Sequence, residues 1–475
     1  MNETPPPGPV LADFSDSIGP MVVKELRQGL RTRSFTWAFL FVQLLLLIFM
    51  TGGFTESSDS RDTAGSFWFL LQVTLLVVMP LRGLNALNAE VRNNTMELIA
   101  LTRMSAWRIV SGKWLALMSQ SVLLAVAVLP YIVIRYFFGG MNVVAELILL
   151  FVVIGLSGVV TALMVGLSVV SNFLIRSFFT VPAVVLVFRF LGESVYRVSR
   201  GDGLAPFNLG LWAWIGILPA AIYLGYYLLD MAASRIAPEA VNYASRRRIS
   251  GLAVFVVSLV VAHGWAVSGA LWIPFLFFGL FAMDALSEHP PMVASVDEPF
   301  RRHPLGAVLR IFLAPGWWSG TFYVLLLSAL TRIAAELAPS VWMNSGISPG
   351  GEMEGLVLAF TASLLTPLAV MLLSRPSHPQ PIVSYCLTAI FLGAIAVSLM
   401  PLIERGDLSE LMMLVMVIPP LSVFSILSQS LESDTLTWIR FLQTVMIILS
   451  MVVVFWKKMR VREAMAASRR EEATL

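Results

Sequence analysis

The sequence predicts an all-α polytopic membrane protein, and three observations carry that prediction. Hydrophobic residues fill 57% of the 475 positions and charged residues only 13%, with a mean hydropathy of +0.82. That is more apolar surface than a soluble globular chain can hide. Several nearly uncharged runs reach roughly 17–25 residues, the helix length that crosses a hydrocarbon core of about 30 Å. These runs do not alternate apolar with polar positions, so a membrane barrel is excluded.

Residues 1–17 are Pro-rich and acidic and are expected to be a disordered tail; a cleavable secretory signal would be basic and then apolar. Between Ile18 and Ser34, Met21, Val22, Leu26 and Leu30 recur at about helical spacing among Lys24, Arg27, Arg31 and Arg33. The pattern fits an amphipathic helix on the cytoplasmic membrane face, or the ordinary basic flank of a first span. Spans are then expected at residues 35–50, 66–84, 114–134 (with a kink at Pro130), 143–170, 178–191 and 211–229. In the fourth of these, Gly155, Gly158 and Gly166 with Ser157, Thr161 and Ala162 make a small-residue face suited to close helix packing. The basic clusters at Arg92, Arg103, Arg108 and Lys113 and at Arg235 and Arg246–Arg248 place both ends of this half, residues 18–250, in the cytoplasm. Arg135, Arg189, Arg197 and Arg200 lie on or near the side expected to be poor in Arg.

The second half, residues 251–458, repeats the plan, with spans at 252–268, 271–286, 320–337, 354–373, 382–400 and 438–456. A basic loop, 288–316, takes the place of the first half's polar segment and carries Arg301, Arg302 and Arg310. Counting 411–431 as a thirteenth span would leave the basic tail, 459–475, outside. A re-entrant hairpin broken at Pro419-Pro420 resolves this and keeps both termini cytoplasmic. The net charge of +3 and pI near 9.1 are read as orientation signals facing anionic lipid, with no nucleic-acid surface. The single Cys386 lies in an apolar run and allows no disulfide within the chain.

The polar segment of residues 90–113, EVRNNTMELIALTRMSAWRIVSGK, separates the second and third spans. Asn94 with Glu97 three residues later is a helix-start signature, and Ser105 can cap a second helix that enters the membrane at Trp114. A short amphipathic helix at the mouth of two spans is a handle through which a docked partner can move both.

These residues resemble the permease subunits of ATP-binding-cassette (ABC) exporters of the second type. That family joins its second and third spans by E-x-x-x-G-T-hydrophobic-E, then T-P-hydrophobic-S, then I-V-x-G-K. Here Glu90, Thr95, Glu97, Thr102, Ser105, Ile109, Val110, Gly112 and Lys113 match, while Asn94 stands for the Gly and Arg103 for the Pro. Asn tolerates a left-handed backbone, so the first change can keep the turn; the second removes a helix break. The resemblance implies a coupling helix docking on a separate ATPase subunit, in two copies per membrane unit, through Glu90, Asn94, Thr95, Glu97, Arg103, Ser105 and Lys113. It also implies a multi-pass protein of the bacterial inner membrane, with an outer re-entrant element that in the first half would fall at residues 189–208. The chain has no GxxxxGK[ST] phosphate loop, so ATP is expected on the partner and no cofactor on this chain. One chain would form a complete pseudo-dimeric membrane unit, a fused pair in which one half couples well, or half of a homodimer.

Other polar residues have plainer readings. Glu97 can simply cap its helix, and Lys113 reads as a snorkelling interfacial anchor. His263 reads as a hydrogen-bonded helix residue. Glu146, Asp284 and Arg332 sit near span ends, where charge costs least, and Arg189 reads as the candidate for a buried pair or a cavity-facing charge. His289 and His303 with Asp297 and Glu298 lack zinc-site spacing, so no metal site is expected, and no catalytic triad appears. The competing classes are a membrane enzyme acting on lipid-linked glycans, which would need a large polar outer loop, and a non-transporting scaffold, which would need no coupling segment.

Overall fold

The computed structural model describes residues 20–52, 60–87, 105–137, 143–170, 172–199, 211–237, 241–264, 272–289, 300, 304, 306–337, 351–374, 381–404, 418–428 and 433–474. No strand occurs among the described residues. The chain divides into two compact units, Met1–Ala237 and Pro238–Leu475. The division precedes the helix bearing Arg247 and Arg248, whereas residue 250 lies within that helix; both side chains bind elements of the second unit.

The first unit comprises α1 (Pro20–Leu30), α2 (Arg33–Gly52), α3 (Ser60–Val73), α4 (Ala106–Phe137), α5 (Val143–Leu167), α6 (Phe173–Ser199) and α7 (Leu211–Ile236). The second comprises α8 (Tyr243–Gly264), α9 (Trp272–Leu286), α10 (Gly306–Leu313), α11 (Trp317–Leu337), α12 (Gly351–Ser374), α13 (Pro381–Glu404), α14 (Pro419–Ser428) and α15 (Ser433–Thr474). The tail expected at 459–475 is the helical continuation of α15 as far as Thr474.

Among the described residues, nine helices are long and apolar enough to cross a membrane, and they coincide with nine of the twelve expected spans. This is a multi-pass membrane protein. The other three spans fall short for visible reasons. The first, in α2, meets α1 at a 59° bend; α8 opens on Arg246–Arg248, which shortens its apolar stretch; and the apolar run Ile273–Leu286 of α9 is short.

Local chemistry explains the irregular elements. After Val73 the α3 span passes through a π-helical turn, Thr74–Val78, then Met79–Leu81 and a 3-10 turn, Arg82–Asn85. Pro80 supplies no amide to the helical ladder, so the register changes around it. The Leu75 carbonyl in the π turn is taken by Ser157 Oγ of α5 at 2.6 Å. The small-residue face expected on α5 is used in packing: Gly158 lies under Trp114 and Met118, Thr161 and Ala162 are buried, and Gly166 faces the Leu228 backbone. Gly155 meets nothing within 4 Å and is outside that face. Since lipid tails are as apolar as Leu, such close backbone approach and cross-helix hydrogen bonding hold the bundle where burial from water cannot. In the first unit the most extensive helix pair is α5 on α7, and in the second it is α12 on α15.

Of the expected re-entrant segment 411–431, only 418–428 is described. There α14 begins at Pro419, where the break was expected, and Ser422 Oγ accepts from Gln443 Nε2 of α15 at 2.9 Å. In the first half α6 runs unbroken through Ser199, so the re-entrant break expected from residue 189 does not occur in its described part.

Candidate functional site

Of the residues expected to couple to a partner, Glu90, Asn94, Thr95, Glu97 and Arg103 lie outside the described residues. Ser105 and Lys113 are described, at the start of α4. Ser105 caps as expected: its hydroxyl accepts from the Arg108 amide at 3.4 Å and its carbonyl from the Ile109 amide at 3.3 Å. Lys113 does not snorkel. Its ammonium donates to Glu25 Oε1 of α1 at 3.1 Å, and the side chain is only 7% exposed. Burial between α1 and α4 removes the route to water, and a carboxylate takes the place of hydration. One residue earlier, Gly112 lets α1 approach: a Cβ there would lie 3.2 Å from Met21 Cγ.

Segment 88–104 leaves from Leu87 and returns at Ser105, and both attachment points are tied to neighbouring helices. The Leu87 amide donates to Ser168 Oγ at 3.3 Å. The carbonyls of Ser168 and Val170 in turn accept from Arg176 at the start of α6. Arg82 donates to Gln120 Oε1 of α4 and lies over the Phe35 ring, 5.5 Å from its centroid. Trp107 packs against Tyr226 of α7 with ring centroids 5.2 Å apart, and Trp114 Nε1 donates to the Gly158 carbonyl at 2.9 Å. Named contacts thus link the described flanks of the segment to α1, α4, α5, α6 and α7.

No protein-family model, curated protein or solved structure matches this chain.

The second unit has its own charged knot where α8, α9, α10 and α11 meet. Arg247 Nε donates to Asp284 at 2.8 Å and its Nη2 to Glu288 at 2.9 Å; Arg248 Nη2 donates to the other Glu288 oxygen at 2.7 Å. Arg248 also donates to the carbonyls of Phe312, Ala314, Gly316 and Ala285 and to Ser319 Oγ. Phe312 and Ala314 lie at the end of α10 and in the turn into α11, where carbonyls lose helical partners; Gly316 also accepts from the Gly320 amide, and Ala285 lies at the end of α9. Gly316 in that turn has φ of 113°, a conformation that favours glycine. A Cβ on Gly320 would lie 2.1 Å from the Ala285 carbonyl oxygen, so α9 and α11 cross in contact. Asp297, Glu298 and His303 of the adjoining loop lie outside the described residues. Among the described residues, no group of three His, Cys, Asp or Glu side chains is placed to hold a metal ion.

The buried pairs differ from those expected. Arg189 is exposed. The buried pair of the first unit is instead Arg135–Glu146 at 3.2 Å, each side chain 8% exposed, with Arg135 over the Phe67 ring. Asp284, expected to sit cheaply near water, is buried against Arg247. In the second unit Glu354 bridges Arg332 and Arg440 at 3.1 Å each. The signal available in sequence was placement: Glu146 and Glu354 are each the fourth residue of their helix, and each follows a helix with an Arg near its end.

Proposed function

We propose that this chain is the membrane-spanning permease subunit of an ATP-driven ABC exporter, coupled through residues 90–113 to a separate ATPase subunit. The supporting observation is the bracing of that segment's two ends. Leu87 is tied to Ser168, and α4, entered at Ser105, is locked to α1 by Lys113 and Glu25. A partner pressing on the segment would thereby tilt several spans together, as a transporter driven from one side requires. The Arg248 knot provides a comparable connection from α10 into α8, α9 and α11, so loop 288–316 serves as the second point of transmission. The chain sits in the bacterial inner membrane with both termini cytoplasmic, and two ATPase subunits engage one chain. ATP hydrolysis belongs to those subunits.

The test is co-purification with a phosphate-loop ATPase from the same cell and measurement of its stimulated hydrolysis. Charge reversal at Glu90 and Glu97 together is expected to release the ATPase. Retention of a fully stimulated partner by that variant would show that the segment is not the coupling site.

A further inference from the structure

The end of the second unit opposite the Arg248 knot holds a cavity of about 290 Å³, lined by Arg332, Glu336, Gly351, Glu354, Arg440 and the adjacent apolar Ala335 and Met353. It is formed by the end of α11 and the starts of α12 and α15. That volume is at the small end for ligand sites and suits a headgroup rather than a drug-sized molecule.

Its charges are balanced, with two guanidinium and two carboxylate groups. Glu354 divides its carboxylate, Oε1 to Arg332 and Oε2 to Arg440. Arg332 makes both of its ion pairs, to Glu354 and to Glu336, through Nη2. Arg440 donates through Nε to the Leu436 carbonyl, through Nη1 to Glu354 and through Nη2 to Thr437 Oγ1, which leaves one N–H on each Nη. Those hydrogens and the other edge of the Arg332 fork suit a second anionic group, and planar forks fit phosphate bidentately. Glu336, 71% exposed at the rim and 3.8 Å from Arg332, is only weakly engaged and offers its carboxylate to a cation. The surroundings indicate where such a ligand comes from. Ile333 and Leu337 on α11, and Trp438 and Phe441 on α15, are exposed apolar side chains on spanning helices beside these charges. In a bilayer they face acyl chains, and Trp is suited to the headgroup level.

We propose that this cavity binds a phosphate joined to a primary amine, as carried by the headgroup of phosphatidylethanolamine, with Arg332 and Arg440 on the phosphate and Glu336 on the ammonium. The corresponding Arg135–Glu146 pair of the first unit is buried, and among the described residues no second Arg pairs with its carboxylate, so the site belongs to the second unit.

The test uses the full-length chain in detergent, titrated separately with phosphatidylethanolamine, phosphatidylcholine and phosphatidylglycerol and read by native mass spectrometry. Phosphatidylethanolamine is expected to bind more tightly than both. Loss of one charge-assisted contact in Arg440→Gln should weaken it about tenfold. Glu336→Gln, at an exposed position that leaves the fold intact, should erase the preference over phosphatidylcholine and phosphatidylglycerol while lipid still binds. Equal or tighter binding of phosphatidylglycerol, or an unchanged preference in Glu336→Gln, would overturn the assignment. Soluble O-phosphoethanolamine that displaces the lipid at equal concentration would overturn the lipid source. Because no ATPase is present, none of these outcomes depends on the transport reading.

Discussion

Glu146, the fourth residue of α5, holds Arg135 near the end of the preceding helix at 3.2 Å, and both side chains are buried. Glu354, the fourth residue of α12, holds Arg332 of the preceding helix at 3.1 Å, but with 41% and 33% of the two side chains exposed. The same contact at the same place in each unit therefore stands in two environments, and its energetic role should differ between them.

Removing one partner of the buried pair leaves an uncompensated charge, a loss of about 3–5 kcal/mol. Glu146→Gln should accordingly lower the unfolding midpoint of the purified chain strongly, and Arg135→Gln likewise. The double variant should be milder than either single one, since it leaves no lone ion. Equal losses in all three would show that packing, and not charge, is what matters there.

The exposed counterpart should be nearly silent in stability. Water screens Arg332 and Glu354, so Arg332→Gln is expected to change unfolding by about 0–1 kcal/mol. A shift as large as that of Glu146→Gln would mean that the two environments are alike after all.

Arg248 should tolerate no substitution by Lys. Its guanidinium reaches Glu288 and carbonyls on both sides of the α10–α11 turn, whereas an ammonium offers three donors from one point. Arg248→Lys should cost at least ~2 kcal/mol, from buried acceptors left unmet, and raise hydrogen exchange at residues 312–319. Ser245→Ala, which removes a 2.7 Å bond to the Leu313 carbonyl and a 2.8 Å bond accepted from Asn242 Nδ2, should cost about 0.5–1.5 kcal/mol for each. Exchange unchanged in Arg248→Lys would separate the turn from the knot.

The all-helical membrane architecture was legible because apolar length alone dictates spanning helices, and the spans at 143–170 and 354–373 stood out without ambiguity. The cap at Ser105 was equally readable, since it follows from local backbone chemistry. Ion-pair partners were not. Lys113 read as a snorkelling anchor because nothing local shows that Glu25, far away in sequence, lies against it. Arg189 read as a buried pair or a cavity-facing charge, and the buried pair did not form because sequence position along a span says nothing of which helix face meets lipid. The Arg248 knot was hidden by its own signature: three consecutive arginines beside a span read as an orientation signal, although two of them face inward.

The link between α1 and α4 separates docking from transmission in the proposed exporter. Gly112 sits against Met21, where a small substituent can be met by a shift of the flexible Met side chain and a branched one cannot. Gly112→Ala should be nearly neutral, while Gly112→Leu should push α1 off α4, separate Glu25 from Lys113, and expose residues 20–30 to protease. Gly112 lies at the α4 end of the proposed segment 90–113, and neither change alters Glu90 or Glu97, on which docking is tested. An ATPase partner should therefore still co-purify with Gly112→Leu, yet its hydrolysis should no longer respond to transport substrate. Full response in a variant whose α1 is cleaved would show that force passes through α4 without the Lys113–Glu25 brace.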